Sequence, residues 1–478
     1  MKNQALSVID QKSDLIAHVN DAIWEYAELS LKEHKSMALY CKVLEDEGFK
    51  VETEISGVPT AFSGTYGAGK PVIGILAEYD ALSGLSQEAA CTTHKPIVSG
   101  GHGHGCGHNQ LGAGSLAAAL AVKKYLELKG GSGTVVFYGC PGEEGGAGKA
   151  FMAREKEFEK LDAAFCWHPG DVNAVSTGSC NCSIQIEFIF HGIAAHAAGS
   201  PHMGRSALDA VELMNTGVQY LREHIKDSDR IHYAITDAGG VSPNVVQAKA
   251  KVLYMVRSNN VKNGLALVEK VRTISKAAAM MTETTVTEQF IDGTADLVPN
   301  FTLEKLLYQE FDKLGVPQYT ADEFAWAQKL VDSYENPEQG LPGRGYAGDP
   351  DLAAFIKEHS QNGTKSLNDF LIPYKSNGKM SMGSTDVGDV SWQTPTAQIG
   401  VVGFTSKAPG HSWQNVSASC SSVAHKGIVH AGKVLAAATI ELFEHPEIIT
   451  EAKAEFREKA ADGYTCPIPP DAVPVAID

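Results

Sequence analysis

The chain lacks the features that mark membrane, secreted and nucleic-acid-binding proteins. Nowhere in its 478 residues does a run reach the roughly 18 apolar residues needed to span a bilayer. Its opening, Met1-Lys2-Asn3-Gln4, leads into a polar amphipathic segment and not the apolar core of a secretion signal, so a cytoplasmic protein is expected. Positive charge is scarce. Lys and Arg number 40 against 57 Asp and Glu, a net charge of −17. That balance argues against nucleic acid and anionic membrane as partners, while a local basic pocket for an acidic small molecule remains compatible with it. A disulfide framework is also missing. The nine cysteines are odd in number and several sit in apolar, strand-like runs, as reduced thiols do. Internal repeats and low-complexity tracts are absent. Gly64-Thr65-Tyr66-Gly67-Ala68-Gly69-Lys70 has the spacing of a phosphate-binding loop, but Pro71 follows where a hydroxyl is required, and then a strand where a helix is required. A hairpin turn is expected there instead.

What is present is an alternation of strand and helix patterns. Residues 13–48 carry a helical apolar period that ends at Gly48, and 71–77 read as a buried strand ending at Glu78-Tyr79-Asp80. A long Ala/Leu-rich helix is predicted over 111–128, with strands at 134–140 and 162–167. This indicates an α/β layer with a largely buried central sheet flanked by helices. The pattern then changes. Residues 181–190 alternate as a half-exposed strand does. Helices near 205–225 and 261–281 and strands near 231–236, 246–257 and 283–291 follow. These suggest a smaller inserted α+β unit with one open sheet face. A buried strand at 397–404 and a helix at about 418–442 return to the first pattern. The expected organisation is a discontinuous catalytic domain, residues 1–183 and 299–478, with a lid inserted at 184–298.

Two clusters carry the chemistry. One is Gly103-His104-Gly105-Cys106-Gly107-His108-Asn109, and the other is Pro141-Gly142-Glu143-Glu144-Gly145-Gly146. Cys106 and His108 are metal-ligand types two residues apart. Glu143 and Glu144 stand at the mouth of a buried strand, where ligands and catalytic groups of open α/β sheets gather. A metal site that breaks a bond needs both ligands for the ion and a free carboxylate to move a proton. His168 closes the 162–167 strand, His411 follows the 397–404 strand, Asp80 ends its own strand, and His196 lies in the inserted unit. With seventeen histidines in the chain, each of these histidines taken singly is more often structural than functional.

Together these motifs resemble the metallopeptidase family of aminoacylases, carboxypeptidase G and auxin-conjugate amidohydrolases. The likeness runs through nearly the whole chain and includes Ala77–Leu82, Gly103–Asn109, Phe137–Glu144, Gly192–Leu208, Ser242–Gln247 and Ser384–Trp392. It implies two divalent ions per subunit, Mn or Zn, held by Cys106, His108, Glu144, His168 and His411, with Cys106 bridging. It implies Glu143 as the general base, and His196 reaching from a partner subunit's lid to stabilise the oxyanion. Asn244 and Arg257 match residues that grip the substrate's carboxylate, and a guanidinium fork suits that task. The implied reaction is hydrolysis of the amide of an N-acyl amino acid, with p-aminobenzoyl-glutamate the best match. Another N-acyl amino acid or an auxin-aspartate conjugate is the alternative substrate. The implied assembly is a homodimer, or a heterodimer with a homologous subunit, formed through the lid. A largely non-catalytic binding or stabilising subunit is the competing reading. Asn109 stands where the amidohydrolase branch usually has Asp, and Glu78 where many relatives have His. With Glu78 there, Asp80 is expected to orient a ligand from behind.

Overall fold

The computed structural model describes residues 1–337, 339–376 and 378–476. Its larger sheet has seven strands in the order Lys50–Thr53, Phe62–Ala68, Gly133–Gly139, Val72–Ala77, Ala163–Gly170, Thr396–Val402 and Ala174–Val175. The four strands from Gly133–Gly139 to Thr396–Val402 run parallel. Ile73, Ile75, Val135, Phe137, Phe165, Ile399 and Val401 on them are all fully buried. Strands covered on both faces read as continuous apolar runs, which is why they stand out in the sequence. The helices His108–Lys129 and Ser422–Glu444 pack against each other and share the sheet's hydrophobic core.

The stretch 13–48 is two helices, Ser13–Tyr26 and His34–Asp46, not one continuous period. Ala27 takes a left-handed conformation with φ of 43° and stops the first of them. The break has a consequence for the site. It frees Ser30 and Glu33 to turn inward, where the Ser30 hydroxyl donates to Asp80 and Glu33 accepts from the Gly142 N–H. The phosphate-loop lookalike is not a hairpin turn either. Residues 64–68 belong to strand Phe62–Ala68, and strand Gly133–Gly139 lies between that strand and Val72–Ala77. Gly133–Gly139 is buried along its whole length, so it takes the inner position and the chain must cross over it.

The second sheet has four antiparallel strands in the order Thr285–Thr294, Cys182–His191, Lys249–Ser258 and Arg230–Asp237. Ile184, Ile186, Phe188 and Phe190 point one way and pack with Val211, Met214, Val268 and Val271 of the helices Ala207–Leu221 and Val261–Met281. The other face is polar, as the period-two alternation predicts. The strand Thr285–Thr294 runs three residues beyond the expected end at 291, and its pairing resumes after a register shift between Phe290 and Asp292. Among the described residues no helix is long and apolar enough to cross a membrane.

Candidate metal centre

The residues singled out in the larger domain converge at the carboxyl ends of its parallel strands. Glu78 and Asp80 follow Val72–Ala77, Glu143 and Glu144 follow Gly133–Gly139, His168 lies near the end of Ala163–Gly170, and His411 follows Thr396–Val402. Cys106 and His108 arrive from the loop that starts the His108–Lys129 helix. Gly107 makes that turn at φ of 80°, and a Cβ there would lie 2.7 Å from Phe404 and 2.8 Å from Pro169. Only glycine fits, so Cys106 and His108 can face one point. His411 itself has φ of 51°, a strained conformation for a residue with a side chain and one that concentrates at functional sites.

The ligand atoms fall into three overlapping groups, Cys106/His108/His168, Cys106/Glu144/His411 and His108/Glu143/Glu144, each within 4.8 Å. Cys106 Sγ lies 3.3 Å from His168 Nε2, and His411 Nε2 lies 3.4 Å from Glu144 Oε1. His108 Nε2 and Glu144 Oε1 are buried without hydrogen-bond partners. Buried polar atoms without partners are costly, and a cation at this point would satisfy both. Mixed thiol, imidazole and carboxylate donors suit zinc or manganese, so the residues fit a divalent centre. Cys106, His108 and Glu144 each belong to two of the groups.

A second layer fixes these donors. Asp80 Oδ1 lies 2.7 Å from His108 Nδ1, which leaves Nε2 to face the centre. Its Oδ2 accepts from the Ser30 hydroxyl at 2.7 Å and the Glu144 N–H at 2.9 Å. Burial opposes a charge on Asp80, but the His108 ring and these hydrogen bonds hold its carboxyl well below the usual range. Burial, followed by the charges of Glu78, Glu144 and Asp386, pushes the Glu143 carboxyl well above its ordinary value. His168 is lowered to about 4, chiefly by burial and then by His108, so its imidazole is neutral and ready to act as a ligand.

One important support, Lys149, lies outside the sequence motifs. Lys149 is fully buried and its ammonium sits 2.6 Å from both Glu78 and Asp386. Glu78 Oε2 in turn lies 3.3 Å from His108 Nε2. A lysine in a helical stretch gives no sequence signal of burial. Its partner Asp386 lies in the Ser384–Trp392 motif. Asn109 is structural. Its amide donates to Asn20 and to the Ser419 carbonyl, so no charge is required there.

A cavity of about 390 Å³ opens above the centre. Cys106, Glu143, Glu144, His168 and His411 line one side, and Ser183, Gln185, Arg257 and Asp292 from the four-stranded sheet line the other. Arg257 donates to the Ser384 hydroxyl at 2.5 Å. His196 and Asn244 do not join this cavity within the chain. Both are exposed on the smaller unit, beside an isolated bridge between His196 and Val245, where His196 Nδ1 accepts from the Ala198 and Gly199 N–H groups.

The sequence pattern of peptidase family M20/M25/M40 matches residues 74–424. The chain is 43% identical over 459 residues to one of the subunits of p-aminobenzoyl-glutamate hydrolase from Escherichia coli, covering 95% of each. It is 30% identical to a mouse Xaa-Arg dipeptidase over 67% of this chain and 73% of that protein. In three dimensions it resembles a dinuclear metal-binding peptidase of Bacillus subtilis from the M20 family, with a TM-score of 0.55 at 16% identity, covering 91% of this chain and 99% of that one. The mixed α/β architecture and the family match lead to one conclusion: the chain belongs to peptidase family M20/M25/M40 and is a hydrolase of amide bonds.

Proposed function

We propose that the cavity hydrolyses the amide of an N-acyl amino acid, with p-aminobenzoyl-glutamate the best-supported substrate. The observation that carries this reading is the facing of two groups across one cavity. Three overlapping metal-ligand groups and Glu143 lie on one side, and Arg257 lies on the other. Cys106, His108, Glu144, His168 and His411 would hold two divalent ions, Mn or Zn, with Cys106 shared and Asp80 orienting His108. Bound there, the ions supply Lewis acidity, which polarises the scissile carbonyl and acidifies water.

The chain's own groups do the rest. Glu143 takes a proton from the attacking water and hands it to the leaving amine. Burial and the like charges beside it raise the Glu143 carboxyl, which favours its holding the proton between the two transfers. Arg257 binds the carboxylate of the leaving amino acid in a fork, with the Ser384 hydroxyl holding the guanidinium in place. The inserted unit, residues 184–298, acts as the lid. His196 and Asn244 are exposed and outside their own cavity, which supports their serving the site of a partner, either a second copy or a homologous subunit.

The Escherichia coli relative is named as one subunit of its hydrolase, which motivates a second reading in which this chain stabilises a partner that does the turnover. The complete donor set and base favour a working site. The purified chain, assayed by itself with zinc, manganese or cobalt on a panel of N-acyl amino acids, is expected to turn over N-acyl-glutamates. Metal binding without turnover of any member would favour the stabilising role. Mixing inactive His196→Ala chains with inactive Glu143→Gln chains is expected to restore part of the activity, because one site in a mixed dimer has both groups intact. If subunits exchange and no activity returns, His196 does not act across the dimer.

A further inference from the structure

The four-stranded sheet contains a local irregularity that changes what faces the substrate. Along Thr285–Thr294, Val286, Glu288 and Phe290 pair with Phe190, Phe188 and Ile186 of the neighbouring strand, on the side covered by helices. Glu288 shows this directly, because it pairs with Arg272 of the Val261–Met281 helix. Strict alternation would place Asp292 on that same apolar side. The register shift at Ile291 prevents it. Asp292 comes opposite Gln185, Thr294 comes opposite Ser183, and all four line the cavity. A one-residue bulge flips every later side chain to the other face, and bulges of this kind gather beside active sites.

Asp292 is only 5% exposed, yet it meets the cavity. Its Oδ2 accepts from Gln185 Nε2 at 2.8 Å, so its hydrogen bond comes from a neutral amide and not from a cation. The Arg257 charge acts on it from a distance. Burial raises its carboxyl to about 6, which leaves it ionised at pH 7. A buried carboxylate whose charge is unmatched by a contacting cation is an acceptor waiting for a donor.

We propose that Asp292, fixed by Gln185, is a specificity-determining subsite that accepts a hydrogen bond from a nitrogen donor on the substrate. The ligand chemistry is an amine, ammonium or guanidinium. It comes either from an arylamine on the acyl group or from a basic side chain on the amino acid. Arg257 and Asp292 together then select a substrate with a carboxylate and a nitrogen donor held apart on one scaffold. An acidic group brought to Asp292 meets a like charge and is rejected. This inference rests on reading the cavity as the amidohydrolase site.

Two substrate pairs test it, each differing in the donor only: p-aminobenzoyl-glutamate against benzoyl-glutamate, and benzoyl-lysine against benzoyl-norleucine. The metal-loaded wild-type chain is expected to favour the donor-bearing member of at least one pair by tenfold or more in kcat/KM. The pair that responds identifies the source of the donor. In Asp292→Leu that ratio is expected to fall at least tenfold. Asp292→Ala, smaller and without an acceptor, reports the same loss for either donor if the leucine variant does not fold. Ratios near unity in both pairs for the wild type, or a preference unchanged in both variants, overturn the subsite. Turnover of none of the four substrates overturns the proposed reading of this cavity as a working site for N-acyl amino acids, and the subsite falls with it.

Discussion

On the floor of the cavity, Glu78 and Asp386 both close on the Lys149 ammonium at 2.6 Å, and Asp80 is held by His108, Ser30 and a backbone N–H. On the roof, Asp292 has a neutral amide for a partner and Arg257 a serine hydroxyl. Floor charges are matched inside the protein or face the candidate metal centre. Roof charges are held in position but left for something else to match. Fixed geometry is what ion binding and proton transfer demand, because a donor displaced by 1 Å no longer serves. Partly unmatched charge is what recognition demands, since the substrate itself completes the pair.

Breaking the floor should therefore damage the protein before it damages selectivity. Lys149→Met removes the shared cation and leaves Glu78 and Asp386 buried without compensation. The loss of one partner from a buried ion pair costs about 3–5 kcal/mol. A lowered thermal midpoint is expected, together with lower metal content, because Glu78 lies against His108. A variant as stable as wild type and with full metal content would show that the floor does not depend on this network.

Breaking the roof should do the reverse. Arg257→Ala should leave the thermal midpoint nearly unchanged and lose well over tenfold in kcat/KM on N-acyl-glutamates, since removing one partner of a desolvated charge pair costs roughly 2–5 kcal/mol. The loss should be far smaller on the corresponding amino-acid amides, which carry no carboxylate. Equal losses on both substrate types would mean that Arg257 supports the fold and does not read the substrate.

The same contrast explains what the sequence revealed. The floor's ligands sit at the ends of apolar strands and in short motifs, so Cys106, His108, Glu143 and Glu144 stand out by local context. Their supports do not. Lys149 sits in a short helix where nothing local marks a lysine as buried, and Ser30 turns inward through a helix break that the apolar period of residues 13–48 conceals. The roof was harder still. Asp292 faces the cavity through a one-residue register shift, and no composition or periodicity announces a bulge between Phe290 and Asp292. The hairpin expected at residues 64–70 failed for a related reason. Strand order is a tertiary property, and Gly133–Gly139 enters between two strands adjacent in sequence.

Two adjacent carboxylates have different proposed tasks, Glu144 holding metal and Glu143 moving a proton. Metal content and turnover measured together on the wild type, Glu143→Gln and Glu144→Gln test this most directly. Glu143→Gln should keep its metal and lose roughly 10²–10⁴-fold in turnover, the contribution typical of a positioned base. Glu144→Gln should lose metal. Retention of more than about a tenth of wild-type turnover by Glu143→Gln, against that expected loss, would contradict the account. So would equal metal loss in the two variants.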